Sequence, residues 1–203
     1  NMAAYDETLI TELTLINAQT QRALKKNVES AYLMENAAYT PEGDLAMVTL
    51  IRPKNQIPSV QVEGGWMMTH GIGVMERGKE GDIIQFLLDE PNAYYPDPFD
   101  IVITPDGKKA FVSSSGVDMI SVIAIDSIRA MLRQTNPKVR KSYANNLDLS
   151  RRFVIKRIKT GMAAYFKYCM LFLKFIASLN GIGLNSTDFC SIPARSNSVC
   201  SGF

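Results

Sequence analysis

A turn motif that occurs twice constrains the fold of this chain more than any other feature. The stretch YTPEGDLAMVT (39–49) aligns without a gap with ITPDGKKAFVS (103–113), at an offset of 64 residues. The three turn-forming residues recur in order: Thr40, Pro41 and Gly43 match Thr104, Pro105 and Gly107. Proline presets φ for a turn, and glycine takes a position that can need a positive φ. Apolar runs rich in β-formers flank both turns, so the sequence predicts a repeated unit of strand, turn and strand.

Repeated units that each contain about four short strands are typical of β-propeller blades. We therefore predict an all-β chain, a β-propeller fragment of about two and a half four-stranded blades with a short helical insertion. The partial propeller is predicted to span 1–161, with blades near 5–28, 35–98 and 99–160. The predicted strands of the two complete blades lie near 35–39, 45–51, 66–75 and 82–88, and near 99–103, 109–115, 119–125 and 152–158.

A long insertion separates the third and fourth strands of the last predicted blade. It begins with SIRAMLR (127–133), a predicted short helix with Ser127 as its N-cap. The remainder, to residue 151, is predicted to be a solvated loop or a docking surface for an acidic partner protein. The basic residues of the insertion as a whole are Arg129, Arg133, Lys138, Arg140, Lys141, Arg151 and Arg152. Because Tyr143 is the single aromatic residue beside them, nucleic-acid binding is not predicted.

The last part of the chain, 162–203, carries no repeat signal and is predicted to be a helical and irregular tail. Its first eighteen residues, MAAYFKYCMLFLKFIASL (162–179), are apolar apart from Lys167 and Lys174, which are seven residues apart. This pattern predicts an amphipathic helix that covers an open blade face. A membrane-spanning helix fits the length, but two internal charges argue against it. A frame or assembly artefact is a further explanation of the tail.

Composition excludes several classes of protein. The 203 residues are 46% hydrophobic and 21% charged with a net charge of +2, which is ordinary for a globular protein and gives no strong attraction to nucleic acid or membrane. The three cysteines, Cys169, Cys190 and Cys200, include no C-x-x-C pair. Haem attachment and a zinc knuckle therefore have no support within these residues, and no cofactor is predicted in this chain. The first residues show no signal peptide.

Four residues are candidates for ligand binding at the funnel of the predicted propeller: Arg52, Lys54, Trp66 and His70. Arg52 and Lys54 follow a predicted strand and could hold an anionic group, or simply lie in a solvated loop. Trp66 could stack on a ligand or pack between blades. His70, the single histidine, could act as a ligand or acid–base group, or donate to a backbone carbonyl from within a strand.

Other chemistries find less support in the sequence. Asp106 is explained by its turn and Asp97 by its connector, so no metal site is predicted at Asp97, Asp100 and Asp106. The G-x-G in HGIG (70–73) lacks the strand, loop and helix of a dinucleotide site. No G-x-S-x-G sequence supports a serine hydrolase.

The stretch FDIVITPDGKKAFVSSSGVDMISVIAID (99–126) resembles the YVTN-type β-propeller repeat of secreted and cell-surface bacterial proteins. The resemblance rests on T-P-D-G-x-x-A-x-V followed by an S-V-I-x-[IV]-D strand, and it covers residues 9–161. Segments 50–75 and 87–107 resemble a subgroup whose propeller is often linked to a di-haem cytochrome domain of the peroxidase kind. The resemblance implies a periplasmic, extracellular or cell-surface location.

The function predicted from these features is a non-catalytic scaffold or binding module of a secreted or periplasmic repeat protein, and the balance of these features is against an enzyme. Its partners would be another protein or the missing blades of a larger propeller. Two alternatives stay open. The chain could be the propeller part of a redox protein whose haem lies in a missing domain, or a truncated product without a function of its own.

Overall fold

A computed structural model describes residues 10–16, 19–53, 68–79 and 83–160, and these fold mainly as antiparallel β-sheet. The ten strands are β1 Ile10–Ile16, β2 Ala23–Glu29, β3 Ala37–Tyr39, β4 Leu45–Pro53, β5 Met68–Glu76, β6 Ile84–Leu87, β7 Pro98–Ile103, β8 Lys109–Ser114, β9 Met119–Ala124 and β10 Val154–Lys159. The helices are α1 Ile125–Leu132 and α2 Pro137–Ser142, with 3-10 turns at Ser115–Val117, Tyr143–Asn145 and Leu147–Arg152.

The strands form two four-stranded sheets and one hairpin. The first sheet has the order β3-β4-β5-β6 and the second the order β10-β9-β8-β7, so in each sheet consecutive strands are neighbours. The hairpin pairs β1 with β2. The eight strands predicted from the repeat are therefore confirmed, each within a few residues, and the chain is mostly β as predicted. None of these sheets closes into a barrel.

The two T-P-x-G turns have the same geometry. Gly43 N–H donates to Thr40 O at 2.8 Å, and Gly107 N–H donates to Thr104 O at 2.9 Å. Both glycines have φ = +66°, which a residue with a Cβ adopts only under strain. The two threonine hydroxyls each accept a hydrogen bond from the backbone N–H five residues later, at 3.1 Å in both turns. The repeated motif thus encodes one turn made twice.

The insertion between β9 and β10 differs from its prediction. Helix α1 begins at Ile125, with Ala124 at the N-cap position and no side-chain cap, so Ser127 as N-cap is wrong. The segment is not a solvated loop either, because Ile128, Met131 and Leu149 are buried. Apolar residues at helical spacing in an otherwise basic sequence were the signal that these residues enter the core.

The central core lies between the two sheets and is closed by this insertion. Its buried members come from the first sheet (Leu45, Met47, Ile72, Val74, Ile84, Phe86), the second sheet (Ile101, Ala110, Val112, Ile123) and the insertion (Ile125, Ile128, Met131, Leu132, Tyr143, Leu149, Phe153). Phe86 is its aromatic centre, with its ring 5.4 Å from that of Tyr143 and 5.7 Å from that of Phe153. A separate cluster packs the hairpin, through Leu13, Leu15 and Val28, on the other face of the first sheet.

Strand β5 contains two glycines because its neighbours approach too closely for a side chain. A Cβ on Gly71 would lie 2.3 Å from the carbonyl oxygen of Phe86 in β6. A Cβ on Gly73 would lie 2.8 Å from a methyl group of Ile83. The G-x-G is therefore explained by sheet packing.

The predicted tail, including the apolar run 162–179, lies outside the described residues, as do the first residues of the blade predicted at 5–28. Within the described ranges, no helix is long and apolar enough to cross a membrane.

Candidate functional site

His70 and Asp89 form a buried pair at the end of the first sheet. His70 is in β5, on the same face as Ile72 and Val74, because side chains two residues apart point to one side of a strand. That face looks toward the second sheet. Asp89 follows β6, and its side chain is fully buried. The His70 Nδ1 atom lies 3.2 Å from Asp89 Oδ2.

The hydrogen bonds of Asp89 define the histidine tautomer. Its carboxylate accepts the backbone N–H of His70 and the backbone N–H of Tyr95, both at 2.8 Å. Since the carboxylate acts as an acceptor in both bonds, the ring proton is assigned to Nδ1, which donates to Asp89. In the neutral form of the ring, the lone pair is then on Nε2. A carboxylate that holds a histidine in this way makes Nε2 suited to accept a proton or to bind as a single ligand.

Arg157 connects the second sheet to this site. From β10 its guanidinium donates to the Leu88 carbonyl at 2.6 Å and to Glu90 Oε1 at 3.1 Å. It also donates to the hydroxyl of Ser121 in β9. The guanidinium carbon lies 3.5 Å from the centre of the Tyr95 ring, a cation–π contact. We call His70, Asp89, Glu90, Tyr95 and Arg157 the inter-sheet polar cluster.

Burial governs the electrostatics of this cluster. It lowers the pKa of the Arg157 guanidinium, and the nearby Tyr95, Glu90 and Asp89 oppose that change. The arginine stays charged, because its ordinary pKa is far above neutral. Burial, and then the charge of Asp89, raise the pKa of the neighbouring Tyr94 hydroxyl. The cluster therefore holds a cation and two carboxylates in a confined space between two sheets.

The structure describes two of the four residues predicted to meet at a funnel, His70 and Arg52. His70 is buried and pairs with a carboxylate, not with the backbone carbonyl offered as its structural explanation. Arg52, at the end of β4, donates to the carbonyl of Ala144 and reaches Asn145 Oδ1 at 3.4 Å. Burial lowers its pKa, and its Nε atom is buried without a hydrogen bond. Lys54 and Trp66 lie outside the described residues. The ligand-binding role of these four residues stays a prediction.

Sequence reasoning missed Asp89, Tyr95 and Arg157. Asp89 directly follows a buried apolar strand in the sequence QFLLDE, and a charge in that position is unusual unless it is paired. That signal could have identified Asp89. Arg157 looked like one of several basic residues in FVIKRIKTG, and no local pattern points to its partner 67 residues earlier.

The basic residues of the insertion pair largely with acidic residues of this same chain. Arg140 contacts Glu76 at 2.6 Å, Lys141 contacts Glu29 at 3.7 Å and Arg151 contacts Glu90 at 3.8 Å. Arg129 contacts Glu42, Asp44 and Asp126. The charges of these four side chains are therefore partly neutralised. These four residues no longer support the prediction that the insertion is a docking surface for an acidic partner.

Arg129 joins the insertion to the first T-P-x-G turn, and its loss is expected to change stability in a pH-dependent way. Its hydrogen bonds, followed by that of Thr40, lower the pKa of Asp44. The contribution is present above the ordinary carboxyl pKa of about 4 and is lost as the pH falls through the lower folded value. We expect Arg129→Gln to lose about 0.5–1 kcal/mol at pH 7, because the pair is partly exposed, and much less near pH 2.

Urea denaturation between pH 2 and pH 7 measures this effect. Arg133→Gln, one helical turn further on and exposed, is the control and should show no such pH dependence. An equal loss for Arg129→Gln at both ends of the pH range would contradict the assignment.

Comparisons with known proteins give both structural and sequence relationships. No family model matches the chain. A solved chain has the same fold, with a TM-score of 0.72 and 22% sequence identity; the match covers 77% of this chain and 45% of that chain. It is a chain of the hydrazine synthase of Kuenenia stuttgartiensis. By sequence, this chain is 25% identical over 129 residues to hydrazine synthase subunit beta of the same organism.

These findings correct three predictions. The chain is similar to a subunit of hydrazine synthase, so the assignment to the YVTN-type repeat proteins is wrong. The prediction of a non-catalytic scaffold is also wrong, because the relative found is a subunit of an enzyme. The prediction that the chain is not an enzyme is weakened for the same reason. The match covers 64% of this chain and 33% of the relative, so this chain spans about a third of the relative's length.

Proposed function

We propose that this chain is a β-type subunit, or part of one, of a multi-subunit redox enzyme similar to hydrazine synthase. The observation that carries the proposal is the 25% identity over 129 residues to hydrazine synthase subunit beta. The shared fold, with a TM-score of 0.72, agrees with it. Nitrogen in hydrazine has an oxidation state between those of ammonia and the nitrogen oxides. Forming hydrazine from either is therefore a redox reaction, in agreement with the redox alternative above.

The partner we propose is another subunit of the same complex, and we propose that any haem of such an enzyme lies outside these 203 residues. The 203 residues contain no C-x-x-C-H sequence for haem attachment. The predicted location outside the cytoplasm stays a prediction.

For the fold, we propose that the two four-stranded sheets are neighbouring blades of a propeller-type arrangement. The equal strand order and the two identical T-P-x-G turns support this.

Purification of the tagged chain from its source organism, followed by an assay of the assembly, tests the proposed function. We expect a stoichiometric complex that shows the Soret band of a haem protein and forms hydrazine, detected as its coloured azine with an aromatic aldehyde. The isolated chain is the control and should form none. A tagged chain that elutes alone, or with partners that lack both haem and hydrazine formation, would refute the proposal.

A further inference from the structure

The second sheet has a second apolar face that no described element covers. Side chains alternate along β8, so Ala110 and Val112 enter the central core while Phe111 points the other way. The residues on that other side are Val102, Phe111, Ile120, Val122 and Ile158. We call them the far-face cluster. All five belong to β7–β10, and within the described ranges no other element contributes to the cluster.

The far-face cluster is as well buried as the central core. Its members expose between 0% and 6% of their surface, and Ser113 beside them is fully buried. The first sheet shows what such a face requires. Its own outer face, with Leu50, Met75 and Ile83, is covered by the β1–β2 hairpin. A sheet that is apolar on both sides needs a layer on both sides.

We infer that the apolar segment 162–179 of this chain packs on the far-face cluster. The end of β10 brings the chain to this site, because Thr160 N–H and its hydroxyl both donate to the Asp118 carbonyl at 2.8 Å. This pair of bonds fixes the chain at the edge of the second sheet, two residues before the segment begins. Segment 162–179 can therefore reach the far-face cluster without a long connecting loop.

The segment also has the right length and pattern. Eighteen residues would span about 27 Å as a helix, at about 1.5 Å per residue. Four strands about 4.8 Å apart make a sheet about 15–20 Å wide, so the helix can cross all of it. Lys167 and Lys174 are seven residues apart and share one helical face, which leaves the opposite face apolar. In the propeller-type arrangement proposed above, the face with the far-face cluster is the face on which a further blade would pack, and the inference gives that position to segment 162–179.

Disulfide scanning in the full chain tests it. Ser113→Cys places a thiol on the far face with little change in volume. A single cysteine is then moved through positions 166–173, with Cys169, Cys190 and Cys200 otherwise replaced by serine. We expect mild oxidation to form an intramolecular disulfide at positions repeated every three or four residues, read by non-reducing electrophoresis and peptide mass spectrometry.

Ser114→Cys is the matched control, because Ser114 is equally buried but points into the opposite side of the sheet. It should form no disulfide with any position. If Ser113→Cys does not fold, Lys109→Cys at the exposed rim of the same face replaces it. Disulfides formed between molecules would assign the face to a second copy and overturn the inference. The absence of any disulfide in the folded variants would overturn it as well.

Discussion

Replacing Asp89 by alanine is expected to reduce the free energy of unfolding by about 3–5 kcal/mol, since three donors lose their acceptor at once. These are the backbone N–H of His70, the Nδ1 of His70 and the backbone N–H of Tyr95. The two donors of His70 are buried and that of Tyr95 is partly buried, so water does not readily replace the carboxylate. Asp148→Ala, at an exposed position, is the control and should stay within about 0.5 kcal/mol of the parent chain.

The histidine gives this prediction a second measurement. Because His70 is the single histidine of the chain, its ring nitrogens give one unambiguous set of NMR signals. We expect the Nδ1–H tautomer in the parent chain and loss of that preference in Asp89→Asn. An Nε2–H tautomer in the parent chain would contradict the proposed bond to Asp89 even if the variant were unstable.

Replacing Gly71 by alanine is expected to cost about 3 kcal/mol or more, because the new methyl group meets backbone and not a movable side chain. Its Cβ would lie 2.3 Å from the Phe86 carbonyl oxygen and 3.3 Å from the Cα of Leu87. Strands β5 and β6 would have to separate, which would displace Phe86 from the central core. Chemical denaturation measures the loss, and hydrogen exchange of β6 locates it.

Gly73→Ala is the comparison for this variant. The nearest atom to its new Cβ is a methyl group of Ile83 at 2.8 Å, followed by side-chain atoms of Val48 and Leu50. Side chains can shift where a carbonyl cannot, so we expect a smaller loss of about 1–2 kcal/mol. Equal losses for the two variants would show that the close approach at Gly71 does not determine the spacing of the strands.

Local sequence patterns predicted the sheets well because the turns and strands of these sheets are specified by residues close together in the chain. The T-P-x-G turns fix two hairpins through bonds spanning five residues, and alternating apolar residues mark the strands beside them. The insertion was mispredicted because its charges dominate the sequence while its buried residues, such as Ile128 and Leu149, are scattered among them. A basic segment is predicted to be solvated unless its acidic partners are known, and here those partners lie far away in the chain.

The candidate site shows the same limit. His70 was identified because it is the single histidine of the chain. Its environment, however, depends on residues distant in sequence: Asp89 lies 19 residues after it, and Arg157 contacts Glu90 across 67 residues. The resemblance to a repeat family failed for a related reason. A turn motif specifies a turn, and proteins of different function use the same turn.

The insertion between β9 and β10 has a consequence for how the chain folds. In simple repeat arrays each unit forms largely from its own residues, and unfolding can proceed unit by unit. Here Phe153 and Tyr143, which precede the last strand of the second sheet, pack on Phe86 of the first sheet. The hydrogen bonding of the second sheet therefore depends on residues that pack on the first sheet. The two sheets should melt together in a single cooperative transition and fold at a rate limited by contacts distant in sequence.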